Sequence, residues 1–114
     1  MALVYKIVAA DEWAGASERG LFEGSAVDRA DGFIHFSTAA QVAETAAKHF
    51  AGQDDLLLVA VEEKDCGEKL VYEVSRGGAL FPHLYAPLPV ALAKSAFPLK
   101  RRADGAHDFA GLLE

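Results

Sequence analysis

The sequence predicts an α+β fold built as a single domain over residues 1–114. A chain of 114 residues suits one domain, and its 52% hydrophobic content is enough for one packed core. Both helical patterns fall in the first half of the chain, whereas the second half reads as strands and turns alone. Strands and helices alternating to the end would instead indicate a doubly wound sheet.

Leu3–Ala9 alternates as a strand with Lys6 on the wet side. Asp11–Arg19 reads as a helix that Asp11 can cap, with acids in the first turn and Gly20 as its stop. Leu21–Asp31 mixes glycine, serine and charge without periodicity and is expected to be a loop. Asp31-Gly32 is a turn signal that launches the next strand. A second helix is expected from Ala39 to about Phe50, burying Val42, Ala46 and Phe50 with Ala39 and Ala43 beside them, and Gly52 ends it. The continuous apolar run Leu56–Val61 has the pattern of a strand covered on both faces. Lys69–Val74 resumes as a strand after a turn at Cys66-Gly67, and the last strand lies within Val90–Leu99. Between them, Arg76–Pro89 holds consecutive glycines and Pro82, Pro87 and Pro89, so it is expected to lack regular structure. Trp13 and Phe22 are expected in the core, and His49 and His107 in solvent.

A formal net charge of -6 argues against nucleic-acid binding by broad electrostatics. The short run Lys100–Arg102 reads as a solvated strand end rather than a phosphate track. One cysteine, Cys66, excludes an internal disulfide and a multi-cysteine zinc site, and the acids beside it disfavour its thiolate. No short metal-ligand motif is present, so no metal is expected. No apolar run reaches the ~18 residues of a membrane span. The apolar start Ala2–Ala10 is short and interrupted by Lys6, so a cytoplasmic protein is expected.

The segment most suggestive of chemistry is Asp31-Gly-Phe-Ile-His-Phe-Ser-Thr-Ala-Ala-Gln41. Side chains alternate along a strand, so Phe33, His35 and Ser37 share one face while Ile34 and Phe36 take the other. Thr38 and Gln41 have the spacing of a capping box at the start of the following helix. Amide donors at a helix start, with His35 and Ser37 beside them, make a seat for an anionic or polar ligand. The dull alternative is a histidine bonded to backbone. Asp28 and Asp31, which flank the approach to this strand, are expected to cap loops.

A second group lies in Arg76-Gly-Gly-Ala-Leu-Phe-Pro-His-Leu-Tyr-Ala-Pro-Leu-Pro89. A long irregular loop is uncommon unless it packs on itself or has a function. It presents Arg76, whose planar fork suits phosphate or carboxylate, with His83 and Tyr85. Tyr72 and Glu73 close the strand upstream, and Glu73 is either a partner of Arg76 or a site carboxylate.

These two segments, Gly32–Thr38 followed by Gln41 and Arg76–Pro89, resemble a small and mainly bacterial family known as domain of unknown function 952. Two departures stand out: Tyr72 where the family often has tryptophan, and Ala86 where it has glycine. The resemblance implies the ADP-ribosylation fold, a mixed, mostly antiparallel split sheet. It further implies an NAD or ADP-ribosyl type of ligand, with ribosyl transfer as the chemistry. On that analogy His35 holds the ribose and Glu73 assists catalysis, the pair of catalytic candidates. Ser37, Thr38, Tyr72, Arg76, His83 and Tyr85 are the ligand-binding candidates, with Tyr72 or Tyr85 against the nicotinamide and Arg76 on the diphosphate. Fold-level analogy does not establish function. A non-catalytic module that binds a small molecule or a protein therefore stands as the alternative.

Overall fold

The computed structural model describes residues 2–113, with Arg76 described by its backbone alone. β1 (Leu3–Ala9) and β4 (Leu56–Glu62) pair antiparallel along their whole lengths, from Leu3 opposite Glu62 to Ala9 opposite Leu56. β8 (Ala93–Leu99) flanks β4 on its other side, with a bulge at Ala60/Val61. The apolar run of β4 is thus central in the order β1-β4-β8 and covered on both faces, as its composition requires.

α1 (Ala10–Arg19) follows β1 directly and buries Trp13 and Ala16. Asp11 lies in its first turn rather than at its cap. Gly20 ends it in the left-handed region (φ 86°), donating its N–H to the Ala16 carbonyl. β2 (Leu21–Phe22) pairs with β7 (Leu88–Pro89) as a two-stranded ribbon. α2 (Ala26–Asp31) leads into β3 (Ile34–His35), and α3 (Val42–His49) follows. β5 (Leu70–Val74) and β6 (Leu80–Leu84) complete a second three-stranded sheet in the order β3-β6-β5. A backbone bridge between Tyr5 and Ser37, with both N–H···O distances 2.8 Å, joins the two larger sheets at β1.

The core divides about the β1-β4-β8 sheet. Val4, Val8, Val59 and Val61 face Trp13, Phe22, Ile34, Phe36, Leu84 and Leu88 on one side. Tyr5, Ile7, Leu58 and Ala60 face Val42 and Ala46 of α3 on the other. Each fully buried large aliphatic or aromatic side chain contributes roughly 1.5–3 kcal/mol by leaving water.

The architecture is α+β with antiparallel sheets, and several local expectations change. Every described strand pairing is antiparallel, so the expected mixture of directions is absent. The expected loop at Leu21–Asp31 contains β2 and the six-residue α2, too short to show a hydrophobic period. The proline-rich Arg76–Pro89 contains β6, the centre of a sheet. Pro82 is tolerated there because its carbonyl accepts the Phe36 N–H at 2.9 Å while its ring nitrogen has no hydrogen to return. That half-made pair ends the β3 ladder after two residues. The helix expected from Ala39 is regular only over Val42–His49, and Ala43 is exposed. Of the Thr38/Gln41 box one bond forms, the Thr38 N–H to Gln41 Oε1 at 3.0 Å. His107 is buried rather than solvated, its Nε2–H donating to the Gln53 carbonyl at 2.9 Å. Ala86 is not among the positive-φ residues, so alanine is unstrained where glycine was the norm.

Candidate functional site

Lys6 shares a strand face with Val4 and Val8 and is buried with them, not on a wet side (5% exposed). A buried ammonium needs a partner, and Asp28 of α2 supplies it: Lys6 Nζ lies 2.8 Å from Oδ2 and 3.0 Å from Oδ1. Asp28 is 1% exposed and collects further donors. The Ser25 N–H (2.9 Å) and Ser25 hydroxyl (3.1 Å) reach Oδ2, and the His35 N–H (3.1 Å) and Nδ1–H (2.6 Å) reach Oδ1. Gly24 is required beside it, because a Cβ there would meet the Asp28 Cβ at 2.7 Å.

Burial alone pushes the Asp28 carboxyl up. The His35 hydrogen bond, the Lys6 charge and hydrogen bond, and the Ser25 N–H outweigh burial and hold it well below the usual carboxylate range. Burial lowers the Lys6 ammonium, and Asp28 opposes that shift. The second nitrogen of His35, Nε2, lies 3.0 Å from Asp31 Oδ2. The His35 imidazole is therefore clamped between two carboxylates, one buried and one exposed.

β6 sets His83 directly opposite His35, with ring centroids 5.5 Å apart at 70°. Phe33 stacks on His83 at 4.1 Å and also contacts Tyr85, at 5.1 Å. His83 Nδ1–H donates to Glu73 Oε1 at 2.7 Å, and the Tyr85 hydroxyl donates to the same oxygen at 2.6 Å. The Tyr85 and His83 hydrogen bonds depress the Glu73 carboxyl, and Glu73 in turn raises the Tyr85 phenol. Ser37 Oγ lies 2.9 Å from Thr45 Oγ1 of α3.

His35, His83 and Ser37 line one cavity of about 620 Å³. Lys6 and Asp31 supply charge to its wall, while Ile7, Phe36, Phe50 and Phe81 supply apolar surface. The two segments singled out in the sequence thus do fold together. Glu73 and Tyr85 stand behind His83 and are not among the lining residues. Thr38 is also outside the lining, and its amide is occupied by Gln41. Tyr72 points to the opposite face of β5 from Glu73 and donates its hydroxyl to Glu63; burial first, and then that carboxylate, pushes the phenol up to about 12. The Arg76 side chain lies outside the described residues. Asp28 does cap, as expected, by accepting the Ser25 N–H at the start of α2, but its reach to His35 and the participation of Lys6 are what sequence reasoning missed. The usable signal was the i±2 spacing of Lys6 from Val4 and Val8, which gives all three one face.

A family profile described as protein of unknown function (DUF952) matches residues 7–95, more than half of the chain. The chain belongs to the DUF952 family. The DUF952 match runs from β1 into β8 and takes in His35, Ser37, Glu73, His83 and Tyr85. The crystal structure of protein CC0527 from Caulobacter crescentus is similar, at 53% identity and a TM-score of 0.91 over 95% of both chains. Its solution NMR structure has 52% identity and a TM-score of 0.89, covering 99% of this chain and 97% of that one. A crystal structure of a double mutant of CC0527 gives 52% identity and a TM-score of 0.90 over 95% of both chains. No curated protein matches the chain.

Proposed function

We propose that this DUF952 chain is a single cytoplasmic domain of the ADP-ribosylation type whose cavity binds a nucleotide-like ligand of the NAD or ADP-ribosyl kind. The observation that carries the reading is the pairing of His35 and His83 at the wall of one cavity of about 620 Å³. That volume falls in the range of small-molecule sites, and a mostly apolar lining with a few placed polar groups is their usual composition. Phe36, Phe50 and Phe81 offer surface for a flat base. Ser37, the exposed carboxylate of Asp31 and the imidazoles offer partners for ribose hydroxyls. The nucleoside half is the part that this lining matches. No described helix is long and apolar enough to cross a membrane. Ribosyl transfer at such a site breaks a C–N bond through an oxocarbenium-like state that carboxylates stabilise.

Titration calorimetry with NAD, ADP-ribose, AMP and adenosine tests the reading. Heat from at least one of them, abolished in His35→Ala, is the expected result. Silence from all four with folded protein overturns it.

A second reading, binding without turnover, is favoured by one observation: Glu73, the catalytic candidate, reaches the cavity only through His83. Binding with no release of nicotinamide from NAD would select it, and measured turnover would remove it.

A further inference from the structure

The two facing imidazoles are held in different ways, and the difference assigns them different work. Both nitrogens of His35 face carboxylate oxygens, at 2.6 Å for Asp28 and 3.0 Å for Asp31. Nδ1 of His35 is engaged by the buried Asp28 carboxylate, and Asp31 stands across Nε2. His83 has one carboxylate, Glu73, on Nδ1. In its neutral form the ring has one N–H, and the hydrogen bond made by one nitrogen decides which nitrogen holds it. Glu73 is an acceptor, so the hydrogen of His83 lies on Nδ1 and Nε2 keeps its lone pair. Nε2 makes no hydrogen bond to a described residue, although the ring is 4% exposed and lines the cavity.

We propose that His83 is the proton-accepting base of the cavity, with Glu73 and Tyr85 as its positioning residues. Nε2 takes the proton of a hydroxyl, from the ligand or from a water, placed against the cavity wall. The O–H bond breaks and its electron pair stays on oxygen, which becomes the nucleophile. The N–H bond forms on Nε2, and the resulting imidazolium is balanced by the Glu73 carboxylate 2.7 Å from Nδ1. Phe33, stacked at 4.1 Å, fixes the ring plane, and the Tyr85 hydroxyl fixes the carboxylate. His35, engaged by Asp28 and Asp31, contributes orientation rather than proton uptake. This assignment rests on the cavity being a ligand site, but not on the ligand being a nucleotide.

The test needs no ligand. Long-range proton–nitrogen NMR spectra of the histidine rings report which nitrogen holds hydrogen. At a pH where His83 is neutral, its Nδ1 is expected to read as protonated and its Nε2 as bare. In Glu73→Ala the hydrogen is expected to move to Nε2, while the His35 pattern stays unchanged. In parallel, diethyl pyrocarbonate should acylate His83, which lines the cavity, as located by mass spectrometry, and spare Nε2 of His107, which is bonded to the Gln53 carbonyl. An Nε2–H tautomer in the unmodified protein, or no acylation of His83 in folded protein, overturns the proposal. Silent calorimetry with a bare and reactive Nε2 would instead remove only the nucleotide reading.

Discussion

His35 of β3 and His83 of β6 form a cross-strand pair, and each ring is held from behind by a carboxylate on a different element, Asp28 of α2 and Glu73 of β5. The register that opposes them therefore also decides which side chains reach the cavity. His35→Ala and His83→Ala are expected to weaken ligand binding by on the order of tenfold or more, since each removes a ring from the cavity wall together with the hydrogen bonds that hold that wall in place. Tyr72→Phe should leave binding unchanged, because its hydroxyl engages Glu63 on the opposite face of the strand. Calorimetry on the three variants with one ligand that binds the unmodified protein checks the contrast. Equal losses in all three would mean that the face assignment is wrong.

Lys6 and Asp28 form a buried ion pair, so removing one partner and removing both have different costs. Asp28→Ala leaves the Lys6 ammonium without its carboxylate and is expected to cost about 3–5 kcal/mol. Lys6→Met keeps the aliphatic bulk and leaves Asp28 with Ser25 and His35 as donors, so its cost should be smaller. The double variant Lys6→Met/Asp28→Leu should be more stable than Asp28→Ala, because neither charge is left buried alone. Urea unfolding of the set checks the order. A double variant no more stable than Asp28→Ala would show that the pair itself, not the stranded charge, carries the stability.

The same carboxylate makes stability fall in acid. Asp28 is held below its unfolded value of about 3.9 by His35, Lys6 and Ser25 acting against burial. A depressed group contributes fully above the unfolded value, and that contribution is lost as pH falls below it towards the folded value. Stability is thus expected to decline from about pH 4 downward, and Asp28→Asn should flatten that decline. Asp54, Glu73 and Asp104 are depressed too, but Asp54 and Asp104 are exposed and the Glu73 side chain is 43% exposed, so solvent screens what they contribute. Urea midpoints measured at a series of acid pH values decide it, since an unchanged slope in Asp28→Asn would assign the acid sensitivity elsewhere.

The long apolar or alternating runs were readable because periodicity alone specifies them: Leu3–Ala9 and Leu56–Val61 become β1 and β4. Val42 and Ala46 carry the helical period of α3, and its frayed start at Ala39–Gln41 does not. β6 was hidden by a rule correctly applied, since proline removes a ladder donor. What the rule cannot show is that the missing donor at Pro82 falls where β3 stops, a fact of pairing rather than of sequence. The polar network was hidden for the same reason. Lys6 reads as a surface residue until a carboxylate 22 positions away is brought to it, and only the tertiary fold supplies Asp28. His35 and Ser37 were legible together because strand alternation gives them one face, whereas His83 was singled out as a loop residue and its place opposite His35 came only from the pairing of β3 with β6. The placement of Glu73 behind His83 depends on register between two strands joined by a glycine turn, which composition does not encode.

The C-terminal segment offers a last contrast between an exposed ion pair and a buried hydrogen bond. Arg101 makes a two-point contact with Asp54, at 2.7 and 2.9 Å, on the surface. Nearby, His107 is buried and donates to the Gln53 carbonyl, while Phe109, Leu112 and Leu113 pack against the α3 side of the core. Arg101→Ala is expected to cost about 0–1 kcal/mol, and the difference should shrink in high salt. His107→Ala removes packing and strands a carbonyl, at a cost of roughly 1–3 kcal/mol that salt should not change. Thermal unfolding of both variants in low and high salt measures the two effects directly. A larger loss for Arg101→Ala than for His107→Ala would mean that the ion pair, rather than the buried ring, fastens the tail to the sheet.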